Sequence, residues 1–288
     1  FKVGAVMTLI STNTSLRLTV GSRRAGFRLP ATVALSFVIV TIVIAWSLAP
    51  SLFTGHNPAI GIPAQKLLGP SAEHWFGTDQ LGRDLYTRVV YGSASSVRSA
   101  LIAVVIGAVA GGFIGLNAGF FGGRVDTVLA RLVDVLLAIP KFLLAVIVVT
   151  AIGFDTTNAA IATGISSVAV FARVMRSEVI KTRQATFIEA SFLSGGSRWH
   201  ILWRHILPNA SRSVLPLAVL QFGDSILVIA SLAFLGYGDP PPASDWGLLI
   251  SIGKDYLKWP WLVYAPAFIT IATVLSVNRI SRWLRKID

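Results

Sequence analysis

The sequence predicts an all-α polytopic membrane protein with six transmembrane helices, and three observations carry that prediction. Of 288 residues, 54% are hydrophobic and only 13% charged, where a soluble globular domain carries about 25% charged residues. Apolar runs of about 20 residues, enough to cross a bilayer, recur along the chain. The Lys and Arg residues gather in alternate connecting segments, as membrane topology requires. A soluble enzyme and a disordered chain are thereby excluded. There is no cysteine, which excludes disulfides, thiolate metal sites and Cys nucleophiles.

Residues 1–30 read as a tail ahead of the first span. No formally charged side chain lies between Arg28 and Lys66, and the apolar run 31–53 is too long for a signal-peptide core, so it reads as a retained span. The next segment contains Gly77-Thr78-Asp79-Gln80-Leu81-Gly82-Arg83-Asp84. Thr78 or Asp79 can cap a helix start, and Tyr86, Val89, Val90 and Val97 would let residues 84–98 lie along the interface. This region is either a landing surface for an external partner or a brace for the bundle.

The second span, 99–122, carries Gly107, Gly111, Gly115 and Gly119, with Gly123 just beyond, one glycine every fourth residue. At 3.6 residues per turn they form a smooth stripe along one face, against which another helix backbone can approach closely. The neighbour is a helix of the same bundle or a second subunit. The third span, 128–152, contains Arg131, Asp134 and Lys141, and Pro140 predicts a kink. Asp134 has Arg131 as an i−3 partner. Residues 157–174 are small and weakly apolar and form the fourth span. The fifth, 213–235, is interrupted by Gln221 and Asp224, and the sixth is 260–278. Ionisable groups at membrane depth are costly, so they are site candidates. Lys141 would meet a carboxylate in a water-filled path and Asp224 with Gln221 an amine, or each would pair with a second subunit.

Six spans put both termini on one side. That side collects Lys2, Arg17, Arg23, Arg24, Arg28, Arg124, Arg131, the basic residues from Arg173 to Arg212, and Arg279, Arg282, Arg285 and Lys286. The opposite side receives only Lys66, Arg83, Arg88, Arg98, Lys254 and Lys258. By the positive-inside rule the rich side is cytoplasmic. The net charge of +12 is therefore topological, and no nucleic-acid partner is implied.

The connecting segment 175–212 is the most informative. It reads Glu189-Ala190-Ser191, then Ser194-Gly195-Gly196-Ser197. Ser197 is placed to cap a helix on which Trp199, Leu202, Trp203 and Ile206 fall at i, i+3, i+4 and i+7, and Pro208 would stop it. Two aromatics on a short helix ask for a hydrophobic slot on a partner or for the headgroup region.

Glu189-Ala190-Ser191, Gly195 and His205-Ile206-Leu207-Pro208-Asn209 resemble the characteristic cytoplasmic loop of ABC importer permeases, with Ser191 in place of a second alanine. Arg204-His205-Ile206-Leu207-Pro208-Asn209 is similar to the dipeptide/oligopeptide (and nickel) branch. The segments at 77–84, Arg131-Leu132-Val133-Asp134, Ile139-Pro140, Pro241-Pro242 and Trp246-Gly247 agree with that branch. The resemblance covers roughly residues 30–285 and points to the second of two non-identical permeases.

The resemblance implies a type I ABC importer permease fold in a bacterial inner membrane, with a six-helix domain over 31–285 and a coupling loop at 175–212. It implies a second permease, two ATPase domains (separate or fused) and an extracytoplasmic substrate-binding protein as partners, within the lipid bilayer. Glu189, Ala190, Gly195, Trp199, Leu202, Trp203, Ile206 and Pro208 would couple to the ATPase. ATP and Mg would sit on those subunits, with no cofactor, metal or catalytic site on this chain. The cargo would be dipeptides or oligopeptides, with glutathione or nickel chelates as alternatives. Leu193-Ser194-Gly195-Gly196-Ser197 resembles the ATPase signature itself, but no phosphate loop accompanies it.

Two rivals fare worse. An intramembrane enzyme lacks His-Glu-x-x-His and Gly-x-Ser-x-Gly; His200 and His205 are five apart, hence off a common helical face, and offer no metal cluster. An ion-coupled secondary transporter would show interrupted helices in corresponding halves, and no such pairing is evident.

Overall fold

A computed structural model describes residues 30–285. The expected N-terminal tail, apart from Pro30, lies outside the described residues. Within them the chain is helical, with one isolated bridge between Thr78 and Asp84 in place of any strand. The helices are α1 (Ala31–Leu48), α2 (Leu85–Phe121), α3 (Gly123–Ala138), α4 (Lys141–Ile152), α5 (Thr156–Arg183), α6 (Thr186–Leu193), α7 (Arg198–Ile201), α8 (Leu207–Phe234), α9 (Trp246–Gly253) and α10 (Trp261–Leu284). Five helical stretches are long and apolar enough to cross a membrane, or six when α3 and α4 count as one broken span.

The boundaries have local causes. α1 stops at Leu48, short of the expected 53, because Pro50 opens a 3-10 turn. α2 begins at Leu85, far ahead of the expected 99. Asp84 caps it by accepting the Thr87 N–H, and the helix runs 37 residues, about 55 Å. Residues 85–98 are thus the first turns of α2 rather than a separate interfacial segment, and Val89 and Val90 are fully buried. The expected kink falls at Ile139–Pro140, where α3 and α4 meet at 93°, since proline cannot supply the next ladder hydrogen bond. α5 continues to Arg183, so residues 175–183 extend the helix and the connecting loop starts later than expected.

Pro208 is the clearest correction. It does not end a helix; it sits in the first turn of α8, after a π turn over Leu202–Ile206. The wide turn already interrupts the i→i−4 ladder, so a missing amide donor costs little there. α7, the π turn and α8 consequently form one nearly continuous rod.

The bundle is organised on the α2–α5 pair, its most extensive contact, with α8 packed on both. α10 lies against α8 and α1, and α4 against α5. Trp246, fully buried at the head of α9, fastens α9 to α2 by donating its indole N–H to the Val89 carbonyl at 3.0 Å.

Candidate functional site

At the Phe121 end of α2 lies the segment expected to couple. α6 ends in a pair of bonds, from the Gly196 N–H to the Ser191 carbonyl and from the Gly195 N–H to the Phe192 carbonyl, both at 3.0 Å. That pattern needs a left-handed residue in the turn, and Gly195 supplies it at φ +84°. A side chain there would meet nothing within 4 Å. The requirement is therefore conformational rather than steric. The Ser197 hydroxyl accepts the His200 N–H at 3.2 Å and starts α7, as its position predicted.

The four residues expected on one face are split. Leu202 and Ile206 turn inward with Ile201 onto Met175, Val179, Ile188 and Ala210, while Trp199 and Trp203 are each 60% exposed. The π turn is the reason: its i→i+5 bonds insert a residue and rotate the face. It also brings His200 and His205, expected apart, to 6.0 Å between ring centroids. No group of three His, Cys, Asp or Glu residues among the described residues is placed to hold a metal. Trp199 leans on Phe120 and Phe121 at the end of α2. Sequence reasoning missed the outer side of α6, where Phe187 and Phe192 are exposed and Leu193 is 89% exposed. Ile188 alone anchors that helix in the bundle. Glu189 and Ala190 are exposed, and the Glu189 carboxylate has no ion partner among the described residues. Its place in the first turn of α6 favours the helix dipole.

The glycine stripe faces α5. A methyl group on Gly111 would lie 2.3 Å from the Val168 carbonyl oxygen, and one on Gly115 2.3 Å from that of Ala172. Gly107 meets Phe171 and Ser167, and Gly119 meets Val179. Gly123 does not continue the seam, having open space around it at the start of α3. Two ion pairs tie α3 to α5 beside this seam. Arg176 holds Asp126 through both nitrogens of its fork, and Arg173 reaches Asp134 at 2.8 Å. Asp134 thus pairs with Arg173 across helices rather than with Arg131 on its own.

At membrane depth the two expected path residues meet each other. The Lys141 ammonium, in the first turn after the 93° break, donates to the Asp224 carboxylate on α8. Gln221 is buried one turn away with its Nε2 unpartnered, and the Ser225 hydroxyl and Asn278 Oδ1 are buried without partners as well.

The Leu85 end of α2 is knotted by buried charge. Asp79 accepts from Arg83 at 2.7 Å and from Arg88 at 2.8 Å, and Arg88 also donates to the Ala243 carbonyl at 2.7 Å. His74 and Asp84 are bonded at 2.9 Å. All of these side chains, with Thr78, are buried. They brace the bundle, and of the two readings of residues 77–84 only the brace fits these particular groups. The sequence signal for the Asp79–Arg88 tie was the crowding of opposite charges in an otherwise apolar chain.

Asp245 caps α9 by accepting the Leu248 N–H at 3.1 Å, yet its second oxygen is buried without a partner. Burial, reinforced by Asp239, pushes its carboxyl up to about 6, against the pull of the Leu248 and Gly247 amides and of Arg88. A carboxyl raised on folding is protonated more readily in the folded state, so its contribution is present at low pH and fades as pH rises through about 6. Asp245→Asn keeps a capping oxygen without the charge. We expect the thermal stability of the wild-type protein to fall across that pH window and the fall to be smaller in the variant. An identical pH profile in both would show that Asp245 does not titrate there.

Residues 103–286 match the family model described as "Binding-protein-dependent transport system inner membrane component". The chain is 39% identical to a dipeptide transport system permease protein of Alkalihalophilus pseudofirmus, covering 86% of this chain and 82% of that one. It is 35% identical to a probable D,D-dipeptide transport system permease protein of Escherichia coli, covering 86% and 84%. A glutathione transport system permease protein of Pectobacterium atrosepticum is 37% identical over 75% of this chain and 72% of its own. Among solved structures, a chain of the MetNI methionine ABC transporter in inward-facing conformations superposes with a TM-score of 0.56 at 16% identity, over 70% of this chain and 96% of that one. The last likeness shows the shared fold.

Proposed function

The chain belongs to the family of binding-protein-dependent transport system inner membrane components, multi-pass and non-catalytic parts of ABC importers, and from that premise we propose that it carries dipeptides or short peptides. The cargo would be handed over by an extracytoplasmic binding protein, and ATP hydrolysis on partner subunits would drive the cycle. A second, non-identical permease completes the path. The observation that carries the cargo assignment is the identity of 35–39% to permeases of dipeptide systems, sustained over 86% of the chain. The exposed apolar side of α6 with Trp199 and Trp203 supports docking to the ATPase at that end, and the excess of Lys and Arg there supports a cytoplasmic face.

On this reading the broken α3–α4 span and α8 line the path, and Lys141, Asp224 and Gln221 are its polar residues. α8 continues directly from the docking segment, so movement of α6 and α7 reaches mid-membrane through one rod. The test is uptake by proteoliposomes containing both permeases, the ATPases and the cognate binding protein. Dialanine and other short peptides should be accumulated in an ATP-dependent manner. Accumulation of glutathione or a nickel chelate with no uptake of dipeptides would assign the chain to those cargoes instead.

A further inference from the structure

The Lys141–Asp224 pair joins two separate elements of the bundle. One partner stands at the 93° break between α3 and α4, the other in the middle of α8. The pair is neither sealed in a core nor fully solvated: the side chains are 22% and 44% exposed in this chain. On the same helix as Asp224, Gln221 and Ser225 each have a buried polar atom that no protein group satisfies. An ion pair at this depth is costly to break, because each charge is left without a counter-charge. It opens cheaply only when something else supplies both an anion and a cation at once. A peptide with free termini does so.

We propose that the Lys141–Asp224 salt bridge is a latch opened by exchange with a zwitterionic cargo, the peptide carboxylate replacing Asp224 on Lys141 and the peptide ammonium replacing Lys141 on Asp224. The exchange conserves charge on both sides and leaves no ion unpaired. It makes the permease itself a reader of free termini, in addition to any selection by the binding protein. This inference rests on the peptide reading above.

The experiment measures equilibrium binding of labelled dialanine, N-acetyl-dialanine and dialanine amide to the whole complex of permeases and ATPases in nanodiscs, without the binding protein. Wild type should bind dialanine about tenfold or more tighter than either blocked form, since each blocked terminus forfeits a charged hydrogen bond. Lys141→Gln should erase the preference over the amide alone, and Asp224→Asn the preference over the acetylated form alone. The double variant carries no uncompensated charge, so it should assemble and bind all three equally weakly. Equal effects of both single substitutions on all three peptides would overturn the latch, as would a double variant that still prefers free dialanine. Wild type that binds none of the three, while taking up dipeptides with its binding protein, overturns the latch and leaves the peptide reading standing. Failure of that uptake overturns both.

Discussion

Gly111→Leu and Gly115→Leu should each prevent the bundle from forming, the largest effect expected of any single substitution in this chain. At both positions even the first added carbon collides with backbone, 2.3 Å from the carbonyl oxygens of Val168 and Ala172. A side-chain neighbour can change rotamer, but a carbonyl moves only with its helix. α2 and α5 would have to separate along the most extensive helix contact in the protein, which also carries the packing of Phe171 against Gly107 and Gly111. Ordinary overpacking costs about 1–3 kcal/mol, and a rigid obstacle on both helices puts this case above that range. Gly112→Ala is the control, because its new methyl would meet only the end of Met175 at 3.6 Å, an ordinary contact. The measurement is yield of monodisperse protein with the partner permease, together with thermal unfolding of whatever assembles. Normal yield and melting for both leucine variants would mean that α2 and α5 are not packed as the structure has them.

That seam was legible because glycine at every fourth position has one physical reading, a face from which side chains have been removed. The sequence left open whether the opposing helix belonged to this chain, since a stripe does not say what it faces. Pro140 was equally plain, as a proline between apolar runs interrupts the ladder in any context. The start of α2 was not legible. Residues 85–98 carry Arg88, Arg98 and several serines beside Tyr86, Val89, Val90 and Val97, a mixture that reads as a segment lying along the interface. Here Arg88 is instead neutralised in the interior by Asp79, and helix propensity does the rest. The pairing of Lys141 with Asp224 spans 83 residues and depends on a 93° break, so neither residue announced the other. The π turn was invisible for a different reason. A periodicity of 3.6 was assumed through Leu202–Ile206, and a single inserted residue is enough to exchange inner and outer faces.

The same turn fixes how the proposed docking surface should respond to substitution. Trp199→Ala/Trp203→Ala should weaken retention of the ATPase subunit by on the order of 2 kcal/mol or more, because exposed aromatics that become buried on docking dominate such interfaces. Leu193→Asp, on the most exposed apolar side chain of α6, should act in the same direction. Leu202→Ala and Ile206→Ala should behave differently. Their side chains are packed against Met175, Val179 and Ile188, so truncation should lower the melting temperature of the permease, at a cost of about 2–5 kcal/mol, before it affects docking. Gly195→Val imposes a β-branched residue on a left-handed turn at φ +84°, where an L side chain costs roughly 1–2 kcal/mol. It should misdirect α6 relative to α7, leaving ATP hydrolysis uncoupled from uptake while the spans remain inserted. Pull-down of the ATPase subunit, measured beside thermal unfolding of the same variants, separates the two groups. If the tryptophan pair can be removed with the ATPase retained at unchanged affinity and coupling, Trp199 and Trp203 anchor the bilayer surface, and docking falls to α6 alone. Loss of docking by Leu202→Ala at an unchanged melting temperature would instead place the original four-residue face against the ATPase and the π turn in doubt.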